Sequence, residues 1–143
     1  MYAIPLIMLS ERAEDYLEAI LVVHLKKGYV RVKDLSRQLG VSSPTVIEML
    51  RKLDQKCLIC YERYGGITLT KEGEEIARAI KDRHDTLVSL LSLAGVPGDV
   101  ADKDACIIEH RLSPKSLEQL KKLVAALEGE KSHLLEGICV RTG

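Results

Sequence analysis

The sequence predicts a mainly α protein with a small β wing: an N-terminal winged helix-turn-helix followed by a C-terminal all-helical domain. Three observations predict it. Two short amphipathic segments flank the turn L-G-V-S-S, a strand-like run meets a second one across Gly65-Gly66, and beyond residue 72 only helical apolar spacing recurs. The 143 residues suffice for one good core or two small ones. The boundary is expected at 71/72, giving domains 1–71 and 72–143.

Each element has a local cause. Ser10 can cap a first helix, whose apolar positions Ala13, Tyr16, Leu17, Ile20, Leu21 and Val23 keep helical spacing until Lys26-Lys27-Gly28 ends it. Val32 to Leu39 forms a short second helix stopped by Gly40. Ser42-Ser43-Pro44 then opens a third, with Ser42 as N-cap and Pro44 in the first turn. In that third helix Val46, Met49, Leu50 and Leu53 make the buried stripe, which leaves Thr45, Glu48, Arg51 and Lys52 facing outward. Cys57 to Tyr64 has strand composition and Ile67 to Thr70 returns as its partner. From Thr70 a long helix runs to Gly95, a further helix spans Val100 to His110, and Ser113-Pro114 starts another with apolar positions through Leu127. Residues 129–143 are weakly patterned.

Composition excludes several classes of protein. With 46% hydrophobic and 29% charged residues the chain is globular rather than disordered, and without Phe or Trp its core must be aliphatic. The apolar start from Met1 to Leu9 has no basic residue and is broken by Pro5, so neither a signal peptide nor a membrane segment is expected, and the location expected is cytoplasmic. Four cysteines in such a chain are expected to be reduced. Net charge is zero, so a nucleic-acid partner requires a local patch.

There is one. Between Lys26 and Lys56 eight basic residues face three acidic ones, a local excess of five positive charges on a neutral chain. Lysines and arginines usually just solvate helical surfaces, but here they coincide with a helix-turn-helix and a wing. In that setting they neutralise phosphates while the first turns of the second helix of the motif reach base edges. Ser42, Ser43, Pro44, Thr45, Glu48, Arg51 and Lys52, with Lys33 and Arg63, are the expected contacts to double-stranded operator DNA. Glu48 repels phosphate, yet can accept from cytosine N4.

The second half carries donor chemistry. In D-A-C-I-I-E-H, Cys106, Glu109 and His110 fall at i, i+3 and i+4 and are expected on one face of the helix. Asp15 and Glu18 repeat the i, i+3 spacing on the first helix, and His84 lies on the apolar side of the long helix. Thiolate, carboxylate and imidazole together suit a first-row divalent ion. Taken singly, each residue also fits an ordinary role: Cys106 as a small core residue, His84 as a core or cap histidine, Asp15 and Glu18 as an acidic first turn. Catalysis by Cys106 and His110 lacks an orienting group and an oxyanion hole, so no enzyme and no small-molecule substrate are expected. Cys57-Leu-Ile-Cys60 is a bare CxxC, a weak zinc signal that leaves a thiol-based redox sensor as a further alternative.

The stretches A-E-D-Y-L-E-A-I, K-K-G-Y-V-R-V-K-D-L-S-R-Q-L-G-V-S-S-P-T-V through L-T-K-E-G, D-R-H-D-T-L-V-S-L-L and D-A-C-I-I-E-H-R-L-S resemble the diphtheria toxin repressor family of metal-dependent regulators, over roughly residues 11 to 127. The resemblance implies a homodimeric winged-helix repressor that needs a divalent ion to bind its operators, with ligands drawn from both domains and dimerisation through the helical one. By position, Asp15, Glu18, His84, Glu109 and His110 match the site of the manganese-type members, which have glutamate where Cys106 stands. Cys106 matches the iron-type members. Those have methionine at the position of Asp15, and an ancillary-ion His and Glu where Asp102 and Val88 stand. In length the chain resembles the short, two-domain manganese type. The resemblance thus implies Fe(II) as the first expectation for the corepressor ion and Mn(II) as the second.

Overall fold

The computed structural model describes residues 9–142, with side chains described for 9–129. The elements in chain order are α1 (Glu11–Lys27), α2 (Val32–Leu39), α3 (Ser43–Gln55), β1 (Ile59–Glu62), β2 (Gly66–Leu69), α4 (Lys71–Leu93), α5 (Gly98–Ile108) and α6 (Pro114–Thr142). The backbone divides into two compact units, Met1–Lys81 and Asp82–Gly143, with the division inside α4. Among the described residues no helix is long and apolar enough to cross a membrane.

In the first unit local chemistry sets the helix ends. The Ser10 hydroxyl accepts from the Ala13 N–H at 3.1 Å and starts α1. The Asp34 carboxylate accepts the Arg31 N–H at 2.9 Å and the Lys27 ammonium at 2.6 Å, tying the end of α1 to the start of α2. Gly40 ends α2 at φ 66°, a left-handed backbone that glycine adopts without cost. The chain then turns, the Ser36 hydroxyl donating to the Val41 carbonyl at 2.5 Å, into Ser42, which caps α3. These are the two helices and the turn that the sequence predicts.

The apolar faces of α1, α2 and α3 close on one aliphatic core. Leu17, Ile20, Leu35, Val46, Leu50 and Leu53 are all at most 1% exposed, and Ile76, Ala77 and Ile80 from the first part of α4 join the same cluster. Each such side chain contributes about 1.5–3 kcal/mol relative to leaving it in water. Met49, expected in the buried stripe, packs against this cluster only partly buried.

The wing is a two-stranded antiparallel sheet in the register Ile59↔Leu69, Cys60↔Thr68, Tyr61↔Ile67, Glu62↔Gly66. It is shorter than the sequence predicts. Cys57 is not in a strand at all: its φ is +58°, and the chain turns there before Ile59 begins pairing. The reason is the exit from α3, where Lys56, Cys57 and Leu58 donate back to the carbonyls of Lys52, Asp54 and Leu53. Cys57 and Cys60 therefore do not form an alternating strand pair, and both are exposed. Thr70 joins wing to helix: its hydroxyl donates to the Cys57 carbonyl at 2.8 Å and accepts the Gly73 N–H at 3.1 Å.

The second unit holds the rest of α4, with α5 and α6. Among the described residues its buried apolar side chains are Leu87, Ala101, Ala105, Leu117 and Val124, and Lys121 of α6 pairs with Asp82 of α4. Two elements differ from expectation. Helix α5 ends at Ile108, with Glu109 as its C-cap, so His110 lies in the following turn rather than on the helix. Helix α6 continues to Thr142 through the weakly patterned stretch. That stretch contains no proline, and an isolated helix-interior glycine such as Gly129 costs only about 1 kcal/mol.

Candidate functional site

Three metal-competent donors of the second unit meet around the His84 ring. Nδ1 of His84 lies 2.8 Å from Glu109 Oε2 and 3.7 Å from Cys106 Sγ, while Nε2 lies 2.7 Å from Asp102 Oδ1. The other oxygen of Glu109 faces His110, with Oε1 3.5 Å from Nε2. Glu109 thus presents one oxygen to each imidazole, and it does so at 0% exposure.

The local sequence places these groups by a simple rule. Helix α4 carries Arg83 and His84 side by side, and both hold Glu109. The buried Arg83 guanidinium donates to its main-chain carbonyl at 3.0 Å, and His84 meets its carboxylate. Because Glu109 is the C-cap of α5, its carbonyl is among those a helix end leaves without an intrahelical donor, and Arg83 satisfies it.

A fully buried carboxylate is tolerated only where positive charge compensates it. The His84 imidazole supplies some of that charge: the Cys106 sulfur first, then the Glu109 and Asp102 carboxylates, lift it from 6.5 to about 11 although partial burial pulls the other way. The cluster thus sets one imidazole among two carboxylates and a thiol. A thiol and a carboxylate, each within hydrogen-bonding reach of one imidazole, are together with it the donor types a first-row divalent ion takes, and the thiol moves the set away from a purely hard ion. The donor chemistry fits a resident metal, which His84, Cys106 and Glu109 could hold.

The structure brings together His84, Cys106, Glu109 and, through Glu109, His110. Asp15 and Glu18 stand half-buried on α1 in the first unit. Sequence reasoning missed two residues. Asp102 precedes Cys106 by one helical turn, so an i, i+4, i+7 pattern of donors on α5 signals it. The buried Arg83 left no signal beyond its place next to His84.

In the first unit the expected DNA contacts are largely open to solvent. Lys33, Ser42, Pro44, Glu48, Arg51, Lys52 and Arg63 are exposed, and Ser43 and Thr45 are half-buried. The Ser42 hydroxyl is engaged with the Thr45 hydroxyl at 2.8 Å, which fixes the first turn of α3, and Glu48 pairs with Lys52 at 3.6 Å. At the wing tip Arg63 lies 5.7 Å from the ring centre of Tyr64, which is 88% exposed.

Comparison with known proteins agrees with both halves. Residues 8–67 match the family model "Iron dependent repressor, N-terminal DNA binding domain", and residues 70–131 match "Iron dependent repressor, metal binding and dimerisation domain". The chain belongs to this family. It is a metal-dependent transcriptional repressor of the diphtheria toxin repressor type, with a DNA-binding domain and a metal-binding and dimerisation domain.

Among relatives of this family, the HTH-type transcriptional regulator MntR of Bacillus velezensis (strain DSM 23117 / BGSC 10A6 / LMG 26770 / FZB42) is 35% identical over 129 residues, covering 90% of this chain and 91% of the relative. MntR of Bacillus subtilis (strain 168) is 36% identical over 121 residues, 85% of each chain. A solved manganese-dependent transcriptional repressor in complex with manganese superposes with TM-score 0.72 at 30% identity, covering 79% of this chain and 52% of that one. The IdeR of T. acidophilum gives TM-score 0.71 at 29% identity, over 78% and 53%. The chain thus spans about half the length of these two solved chains.

Proposed function

We propose that this repressor responds to Mn(II), binding operator DNA as a homodimer when loaded and releasing it when metal-free. The observation that carries the reading is the His84, Glu109, Cys106 cluster around one imidazole. Its support for manganese in particular is the match to relatives named MntR and to a repressor solved with manganese. The proposed donors are His84, Cys106, Glu109 and His110, joined by Asp15 and Glu18 on the strength of the family resemblance. Ser42, Ser43, Pro44, Thr45, Glu48, Arg51 and Lys52 of the α3 region, with Lys33 and Arg63, are the proposed DNA contacts. The functional boundary is proposed at 71/72, where α4 begins.

With the ligand set that the family resemblance implies, metal loading and operator binding form one linked equilibrium. A usable switch needs a coupling of about 1–3 kcal/mol, or roughly 5–150-fold in affinity. A bound divalent ion would supply positive charge that holds carboxylates, thiolate and imidazole in one arrangement.

Fe(II) is the second reading, favoured by one observation: a thiol stands 3.7 Å from the His84 nitrogen, and soft ligands favour iron over manganese. Anaerobic calorimetric titration of metal-free protein with Mn(II) and Fe(II), for wild type and Cys106→Ala, separates the two. Mn(II) binding that is little changed in Cys106→Ala supports the manganese reading. Tighter Fe(II) binding that is lost with the thiol replaces it with the iron reading, and no binding of either ion refutes both.

A further inference from the structure

One carboxylate at the centre plays no part in the proposed ligand set. Asp102 Oδ1 lies 2.7 Å from His84 Nε2, on the far side of the ring from Cys106 and Glu109. The same helix supplies both sides: Asp102 and Cys106 are one turn apart on α5, with the carboxylate at one ring nitrogen and the thiol near the other. The His84 side chain is 13% exposed while that of Asp102 is 66% exposed, so the carboxylate holds a mostly buried ring from the solvent side.

We propose that Asp102 is a positioning residue of the metal centre: by accepting the Nε2 proton it fixes the orientation and tautomer of His84 that present Nδ1 to the ion. The inference rests on the reading of His84 as a ligand. A neutral imidazole carries its proton on one nitrogen and its lone pair on the other, and the hydrogen bond made by one decides which faces a metal. With Nε2–H directed at Asp102, the lone pair belongs to Nδ1, the nitrogen that faces Cys106 and Glu109. A proton held on Nδ1 in the metal-free protein passes to solvent when the lone pair is donated, and the Nε2 proton stays with Asp102. A carboxylate partner also raises the basicity of the ligating imidazole. Without it the ring is free to turn or to adopt the other tautomer.

The test uses the full chain and Mn(II) itself, titrated calorimetrically into wild type, Asp102→Ala, Asp102→Asn and His84→Ala. Loss of such a partner typically weakens metal affinity by about 10–100-fold, and that is the change expected for Asp102→Ala. Asp102→Asn, whose amide oxygen still accepts from Nε2, is expected to recover part of it. As a readout independent of affinity, the His84 Nε2 proton in the diamagnetic Zn(II) form should give a slowly exchanging NMR signal in wild type and Asp102→Asn, and lose it in Asp102→Ala. Wild-type Mn(II) affinity in Asp102→Ala overturns the inference. So does a loss in Asp102→Ala that tracks a lowered melting temperature of the metal-free protein and is unrelieved in Asp102→Asn. If His84→Ala itself binds Mn(II) like wild type, the metal reading of His84 fails first, a result distinct from the failure of Asp102 alone.

Discussion

Substituting Gly73 by alanine sets two effects of known size against each other. Gly73 is the third residue of α4, and helix propensity alone predicts that alanine there stabilises by about 0.8–1 kcal/mol. The tertiary structure predicts the opposite. A Cβ on Gly73 would lie 1.8 Å from the Leu58 carbonyl oxygen and 2.8 Å from its carbon, against an ordinary contact of about 3.5 Å. Both are backbone atoms in a well-held peptide. The Leu58 carbonyl accepts from Thr70 N–H at 3.1 Å, its N–H donates to Leu53, and its side chain is 4% exposed. Overpacking of this kind costs about 1–3 kcal/mol or more, and each disturbed hydrogen bond adds about 1 kcal/mol. Sterics therefore win by about 1–3 kcal/mol, which for a unit of this size lowers the melting temperature by roughly 5–20 °C. Urea and thermal unfolding followed by far-UV circular dichroism measure it. Gly129→Ala is the control: that glycine lies in α6 with nothing within 4 Å of its added Cβ, so there the propensity gain of up to about 1 kcal/mol should appear. A Gly73→Ala protein as stable as wild type would refute the reasoning.

Three further outcomes follow from the first unit. Cys57 is exposed at φ +58°, where a side chain costs about 1–2 kcal/mol, so Cys57→Gly should raise the urea midpoint by an amount worth about 0.5–1 kcal/mol; a lowered midpoint contradicts the left-handed assignment. Lys27 first, and then the Arg31 N–H, hold the Asp34 carboxyl below 3.8 despite desolvation. Its contribution to stability is therefore present above that value and lost as pH falls through the lower folded-state value. Melting curves between pH 7 and pH 2 should show Asp34→Asn less stable than wild type at neutral pH, with the gap closing in acid; a gap independent of pH counts against the ion pair. Arg51 is exposed on α3, and Arg51→Ala should reduce the slope of log affinity against log salt by about one on a generic DNA duplex, whereas an unchanged slope removes it from the phosphate contacts.

Elements decided by adjacent residues were legible. The bounds of α2, the Ser42 cap of α3, the Gly40 turn and the Ser10 cap of α1 follow from side chains that bond backbone groups three to five positions away. Cys57 misled because its composition is strand-like while its backbone is set by the exit from α3. His110 was expected on a helix that in fact ends at Ile108, where Arg83, 26 residues earlier in the chain, takes the Glu109 carbonyl.

The sequence by itself determined the helix-turn-helix, the existence of a wing, the aliphatic core and the types of donor, because capping, periodicity and side-chain chemistry act over one or two turns. Only the tertiary structure decided which donors face one another. The pairs that build the centre join His84 to Asp102 and Glu109 across 18 and 25 residues. They meet because α4 packs beside α5 and its end, and no local spacing encodes that approach. The same packing buries Glu109 completely and leaves Asp102 on the solvent side of the ring, a division of roles between two carboxylates that are chemically alike in the sequence.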